Sequence, residues 1–243
     1  REISILERGS IPNDKWAEIR KLQQLDTRHN WKILFFLVQW FVAGWILMSV
    51  DNPIVLLACY FVVSCSVVGL PILMHESCHS LLYKKPSLNR WVGFFCGLPG
   101  LVSVSSYRSI HTTHHANTRT ESDPDDIEAS AQKSVPMVFA YYFVLVAGIY
   151  FYIPTVAFKG FARANHRMRV KIVTEYVLMI AVYVLVFVAF PFDTILKLWL
   201  IPLLIAAQLS NVRGLAEHGL MTRGNEFTDS RTVMSNKFVS FMM

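Results

Sequence analysis

Three stretches of this chain, Ile33 to Val50, Pro53 to Met74 and Val135 to Phe158, contain no charged residue over 18, 22 and 24 positions. A helix of about 20 residues crosses the ~30 Å hydrocarbon core of a bilayer, so each is at or near spanning length. Two more stretches, Ile172 to Phe192 and Ile195 to Val212, carry one charge apiece, Glu175 and Lys197. Composition agrees: of 243 residues, 53% are hydrophobic and 16% charged, against roughly a quarter charged in soluble domains. A water-soluble globule is excluded, and an all-α integral membrane protein is predicted. The first apolar run lies behind a polar leader without a small-residue cleavage site, and so reads as a span rather than a signal peptide.

The basic residues assign the sides. Of 23 Lys and Arg, all but Lys197 fall in four polar segments: the leader, Lys84 to Lys133, Lys159 to Lys171, and Arg213 to Lys237. The short loops Asp51-Asn52 and Asp193-Thr194 carry none, so the positive-inside rule puts every long polar segment in the cytoplasm. Two transmembrane helical hairpins follow, one turning at Asp51-Asn52-Pro53 and one at Pro191-Phe192-Asp193. Were Val135 to Phe158 also to span, the basic loop after it would lie outside. It is therefore predicted to be a re-entrant or interfacial segment, broken near Gly148 and Pro154. Leu88 to Ser105, apolar but studded with Gly93, Gly97, Pro99 and Gly100, is predicted to lie along the membrane surface. Residues 1–32 are expected to form a cytoplasmic segment. Within it Pro12-Asn13-Asp14 opens an interfacial helix whose Trp16, Ile19, Leu22 and Leu25 recur every three positions. The four cysteines, Cys59, Cys65, Cys78 and Cys96, show no C-x-x-C spacing and read as buried small hydrophobes.

The chemistry is concentrated in histidines. Six of the eight fall into His75-Glu76-Ser-Cys-His79, His111-Thr-Thr-His114-His115 and Glu217-His218. Residues i, i+3 and i+4 share a helix face, so His75 can pair with His79, and His111 with His114 or His115. Clustered imidazoles at one membrane face repel one another if protonated and need partners if buried. A transition metal supplies that partner. One ion rarely takes more than four protein ligands in a tetrahedral site, so six candidates suggest two metals. After the second group, Glu121, Asp123, Asp125, Asp126 and Glu128 can orient ligand imidazoles through their second ring nitrogen, or form a solvated acidic turn. Asn211 is a candidate for holding a metal-bound water, or belongs to an interfacial helix end.

H-x-x-x-H after a transmembrane hairpin, then H-x-x-H-H some 30 residues on, resembles the membrane fatty acid desaturase and hydroxylase superfamily. The resemblance runs from Ile33 to the C-terminus, making 33–243 one desaturase-like domain under a helical cytoplasmic cap. It implies a cytoplasm-facing di-iron centre that uses O2 to desaturate an acyl chain of a membrane lipid or acyl thioester. His75 and His79 match the first box, His111, His114 and His115 the second, and His218 a further ligand, with Glu76, Asp123, Asp125, Asp126 and Asn211 around them. An external ferredoxin-like or cytochrome-like donor with its reductase, or a module beyond either end, is implied, since these 243 residues hold no haem-binding H-P-G-G segment. The family's third box is absent from the 243 residues, so the chain is expected to be a fragment whose own activity is in doubt. A carotenoid, sterol or acyl hydroxylase or ketolase shares these boxes. A bacterial inner membrane and the endoplasmic reticulum fit equally, and nucleic acid is not expected as a partner.

Two other classes compete. His75-Glu76-x-x-His79 is also the H-E-x-x-H zinc motif of metallopeptidases, and an intramembrane protease built on it would leave the second histidine group without a task. A transporter would place ionisable groups near mid-bilayer, whereas these spans are almost free of charge.

Overall fold

The two charge-free stretches nearest the N-terminus form α1 (Trp31–Ser49) and α2 (Pro53–Cys78), joined where the sequence predicts. Asn52 closes the turn: its Oδ1 accepts from the N–H groups of Ile54 and Val55 at 3.0 and 3.3 Å. Pro53 fills the first helical position, where a missing N–H costs nothing. Gln39 ties the pair together, donating to the Val62 carbonyl at 2.8 Å and to Ser66 Oγ at 3.0 Å. The computed structural model describes residues 15, 16, 18, 21, 24–118, 120, 122–124, 137–218 and 233–242. Of the expected leader helix, only Lys15, Trp16, Glu18 and Lys21 fall among these, all helical.

The second hairpin also forms. α6 (His166–Ala189) is capped by Asn165, whose Oδ1 accepts from the Met168 N–H at 3.0 Å. After Phe190-Pro191 the chain returns through α7 (Phe192–Ile195), a π-helical turn (Leu196–Leu200) and α8 (Ile201–His218). Trp40 of α1 donates its indole N–H to the Leu198 carbonyl in that π turn at 2.8 Å. Between the hairpins lie α3 (Pro86–Gly97), α4 (Val104–Asn117) and α5 (Met137–Arg163); α9 (Lys237–Met242) follows. Among the described residues there is no strand, and five segments are long and apolar enough to cross a membrane: Thr27–Ser49, Pro53–Cys78, Tyr142–Arg163, His166–Ala189 and Phe192–Glu217. Their outer faces expose large apolar side chains, among them Phe41, Trp45, Leu185 and Val188. In water such a surface would aggregate; in a bilayer it is the lipid-facing one. The protein is an all-α integral membrane protein.

Two expectations need correction. The helix predicted to break near Gly148 and Pro154 runs unbroken from Met137 to Arg163. Asn211 of α8 supports it: its Oδ1 accepts from the Ile149 N–H at 2.9 Å and its Nδ2 donates to the Leu145 carbonyl at 3.1 Å. Those two groups are an i, i−4 pair, so the amide serves the helix's own ladder from outside. Gly148 leaves the room, since a Cβ there would sit 3.2 Å from Asn211 Oδ1. Neighbours that satisfy backbone groups in this way let membrane helices keep glycine and proline. The segment predicted to lie along the surface instead folds inward: α3 ends in a 3₁₀ turn (Leu98–Gly100) held by the second hairpin. Tyr183 OH donates to the Leu98 carbonyl and Trp199 Nε1 to that of Pro99, the latter at 3.0 Å. Irregular backbone beside apolar helices needs such donors.

The four cysteines are free and buried, as expected. Phe36, Leu73, Met74, Cys78, Phe94, Ile110, Val156 and Met179 form a core that joins α1 to α6. Met74, Cys78 and Ile110 each immediately precede a histidine, so this core is the floor of the site.

Candidate metal centre

α2 outlasts its apolar sequence by one turn, and that turn carries His75, Glu76 and, as C-cap, His79. The helix stops in a double bond pattern, Ser80 N–H to the Ser77 carbonyl at 2.9 Å and Leu81 N–H to the Glu76 carbonyl at 3.0 Å, around a left-handed Ser80 (φ 63°). This is the usual glycine-ended stop with serine in the glycine's place. Asn89 of α3 holds it from below: Oδ1 accepts from the N–H groups of Leu82 and Tyr83, both at 3.1 Å, and Nδ2 donates to the Ser77 carbonyl at 2.7 Å. α4 begins at Ser103, whose Oγ accepts from the Ser106 N–H at 3.1 Å. Two turns on, His111 and His115 leave α4 on one face, as their i, i+4 spacing requires.

The two helices bring four imidazoles together. The candidate ligand nitrogens of His75, His79, His111 and His115 all lie within 4.8 Å of one another. Nε2 of His111 is 3.0 Å from Nε2 of His79 and 2.9 Å from Nε2 of His115. With metal–nitrogen bonds of about 2.1 Å, ligands at right angles sit about 3.0 Å apart and tetrahedral ones about 3.4 Å. The His79–His111 and His111–His115 spacings therefore suit ligands of one metal ion. Nδ1 of His75 is 3.1 Å from Glu76 Oε1, which leaves Nε2 for a ligand role. Burial, reinforced by the neighbouring histidines, holds the His111 pKa far below the usual imidazole range. Burial also lowers that of His79. Neutral imidazole is the ligating form. Tyr107, one turn before His111, stacks on its ring with centroids 4.7 Å apart; its i−4 position was the only sequence signal for it.

The other expected residues fare differently. His114 is buried, and its Nδ1 lies 2.8 Å from Asp123 Oδ1. It stands beside the quartet, with ring centroids 6.0 Å from His111 and 5.6 Å from His115. Asp125 and Asp126 lie outside the described residues, and so does the side chain of His218, the last residue of α8. Both polar ends of the Asn211 side chain are engaged with α5, so the structure gives it an interhelical role in place of a water-holding one.

An all-α membrane protein whose α2 and α4 bring four imidazoles within 4.8 Å of one another carries a histidine cluster that could hold a metal ion. The family model for fatty acid desaturase matches residues 51–243, and the chain belongs to that family. It is 30% identical over 104 residues to sphingolipid delta(4)-desaturase DES1 of Bos taurus, covering 42% of this chain and 32% of that protein. It is 35% identical over 85 residues to the sn-1 acyl-lipid omega-3 desaturase (ferredoxin) of Synechocystis, covering 35% of this chain and 22% of that protein. A third relative, sphingolipid delta(4)-desaturase DES1-like from Oryza sativa, is 34% identical over 80 residues, or 29% and 24% of the two chains. The matches thus span a third or less of the length of these curated relatives.

Proposed function

We propose that the full-length gene product is an oxygen-dependent desaturase acting on an acyl chain of a membrane lipid or acyl thioester. The observation that carries this reading is the convergence of His75, His79, His111 and His115 in a member of the fatty acid desaturase family. In this reading the four imidazoles hold iron, and His114 and His218 serve a second iron. Two bound irons supply the redox chemistry by which O2, two electrons and two protons take two hydrogens from adjacent acyl carbons, leaving a double bond and two waters. Glu76 fixes the ring of His75, and Asp123 that of His114, by accepting at Nδ1. Burial lowers the pKa of His79 and His111, which keeps competing protons off their ligand nitrogens. The apolar helices hold the acyl chain on the membrane side, and the basic residues of the leader and of Lys84 to Lys133 support a cytoplasmic side for the histidines of α2 and α4. There a soluble ferredoxin-like or cytochrome-like donor reaches them; the Synechocystis relative carries ferredoxin in its name.

Glu76 Oε1 lies 3.1 Å from His75 Nδ1, and His79 Nε2 lies 3.0 Å from His111 Nε2 of α4; this engagement of the second histidine group supports the desaturase reading over the zinc-protease alternative. The test is expression in a host fed saturated acyl lipid, with lipid profiling by mass spectrometry and metal analysis of the purified protein. A new double bond with iron bound is expected. A new hydroxyl without a double bond would assign the chain to the hydroxylase branch, and stoichiometric zinc without iron would overturn the reading.

A further inference from the structure

We propose that Glu175 is a positioning residue for the histidine centre: with Arg90 and Asn89 it sets the depth and rotation of α4 against α2, and so the spacing between the two histidine pairs. The inference rests on reading the histidine cluster as a metal site. Glu175 is completely buried in α6, a helix that carries no other charge after Lys171. A buried carboxylate is costly unless every lone pair is used, and here each oxygen has two donors. Oε1 accepts from Arg90 Nη1 at 3.2 Å and Ser105 Oγ at 2.6 Å; Oε2 accepts from Ser103 Oγ at 2.7 Å and the Ser105 N–H at 2.9 Å.

Three of those four donors belong to the start of α4. Ser103 is its N-cap and the Ser105 N–H one of the amides a helix start leaves without an intrahelical partner, so the carboxylate also meets the helix's positive end. The fourth donor comes from α3. Arg90 follows Asn89, the residue that holds the end of α2 through Ser77, Leu82 and Tyr83. Adjacent residues of α3 therefore grip both histidine-bearing helices, one directly and the other through Glu175. The tolerance is small: a one-residue slip of α4 moves its histidines by about 1.5 Å and turns them by about 100°. Ligands need placement within roughly 0.5 Å.

A glutamine cannot replace this carboxylate. Oε1 faces Arg90 Nη1 and Oε2 faces the Ser105 N–H, both pure donors, so the amide NH2 meets a donor in either orientation. The experiment uses the full-length gene product, stripped of metal and titrated with Co(II), whose visible absorption reports coordination independently of turnover. Glu175→Gln is expected to weaken Co(II) binding by about 10 to 100-fold, as loss of groups that orient ligands does, and to shift the absorption bands. Glu175→Asp, which keeps the charge, is expected to bind with intermediate affinity. Gln39→Ala, which loosens α1 from α2 away from the histidines, is the control; it should lower thermal stability and leave Co(II) binding unchanged.

Co(II) bound by Glu175→Gln as by wild type would overturn the inference, as would equal weakening by Gln39→Ala. Should Glu175→Gln fail to fold, Ser105→Ala decides. It removes one donor and keeps the helix cap; weaker Co(II) binding supports the inference and unchanged binding overturns it. Wild type that binds no Co(II) would overturn the metal reading itself, and this inference with it.

Discussion

α2 and α4 each deliver two imidazoles to one cluster, yet they are built on opposite principles. α2 is 26 residues long and apolar until its last turn, so its depth follows from hydrophobicity and its histidines emerge where the apolar run ends. α4 is 14 residues long, and its first turn buries Ser105 and Ser106 beside the cap Ser103. Its place is fixed by hydrogen bonds to Glu175 from α6 and to the Val156 carbonyl of α5, which Ser106 Oγ reaches at 2.7 Å. One half of the centre is located by solvent preference and the other by polar contacts. The polar half should be the less tolerant of small changes.

The largest expected effect is common to both halves. Alanine at His79 or at His111 should abolish product formation by the full-length gene product, because each removes a nitrogen within about 3.0 Å of another candidate ligand. Lipid profiling checks it. Activity that survives loss of His111 but not of His79 would split the centre along the line between the helices.

Next is Asp123→Asn on the α4 side. Its carboxylate faces Nδ1 of His114, and losing such a partner typically costs about 10 to 100-fold in metal affinity or activity. Kinetics together with metal content would register it. Full activity in Asp123→Asn would return this carboxylate to the solvated-turn reading.

Packing around α4 comes third. A Cβ on Gly160 would lie 2.3 Å from Ser106 Oγ and 2.5 Å from the Ser106 carbonyl oxygen, so α5 must back away from α4. Gly160→Ala should destabilise by about 1–3 kcal/mol, as overpacking does. Gly214 of α8 has nothing within 4 Å of its Cβ position, and Gly214→Ala should be neutral or stabilising by up to about 1 kcal/mol. Thermal unfolding in detergent compares the two.

The same contrast explains what was legible in the sequence. Long apolar runs marked α1, α2 and both hairpin turns, and the i, i+3 and i, i+4 spacings offered five histidines that include the quartet. Spacing alone left His114 and His115 open as partners of His111; Asp123, by engaging His114, and the ring geometry favour His115. Glu175 stood out only as a lone charge in an apolar stretch, because its donors lie some 70 to 85 residues away in sequence. Asn89 and Asn211 carry no local signal for these roles either, since Asn89 serves backbone groups of α2 and the loop after it and Asn211 those of α5. The expected break in α5 failed for that reason: proline and glycine are visible in sequence, and the amide that supports the helix at Gly148 is not.

The smallest effect belongs to the α2 side. Ser80 holds a left-handed conformation that costs a non-glycine residue about 1–2 kcal/mol, partly offset by Arg108 Nη1, 3.2 Å from its Oγ. Ser80→Gly should therefore raise stability by no more than about 1 kcal/mol, without loss of metal. A large drop in metal content would mean that the end of α2 is as delicately set as α4.

The central claim is that α2 and α4 build one shared metal centre, and iron analysis of the purified full-length gene product tests it most directly. The account expects two irons per chain in the wild type. It also expects His79→Ala and His111→Ala each to lower iron content and to change the iron spectrum, although one residue lies on α2 and the other on α4. Wild-type iron content and spectrum in either variant would contradict it.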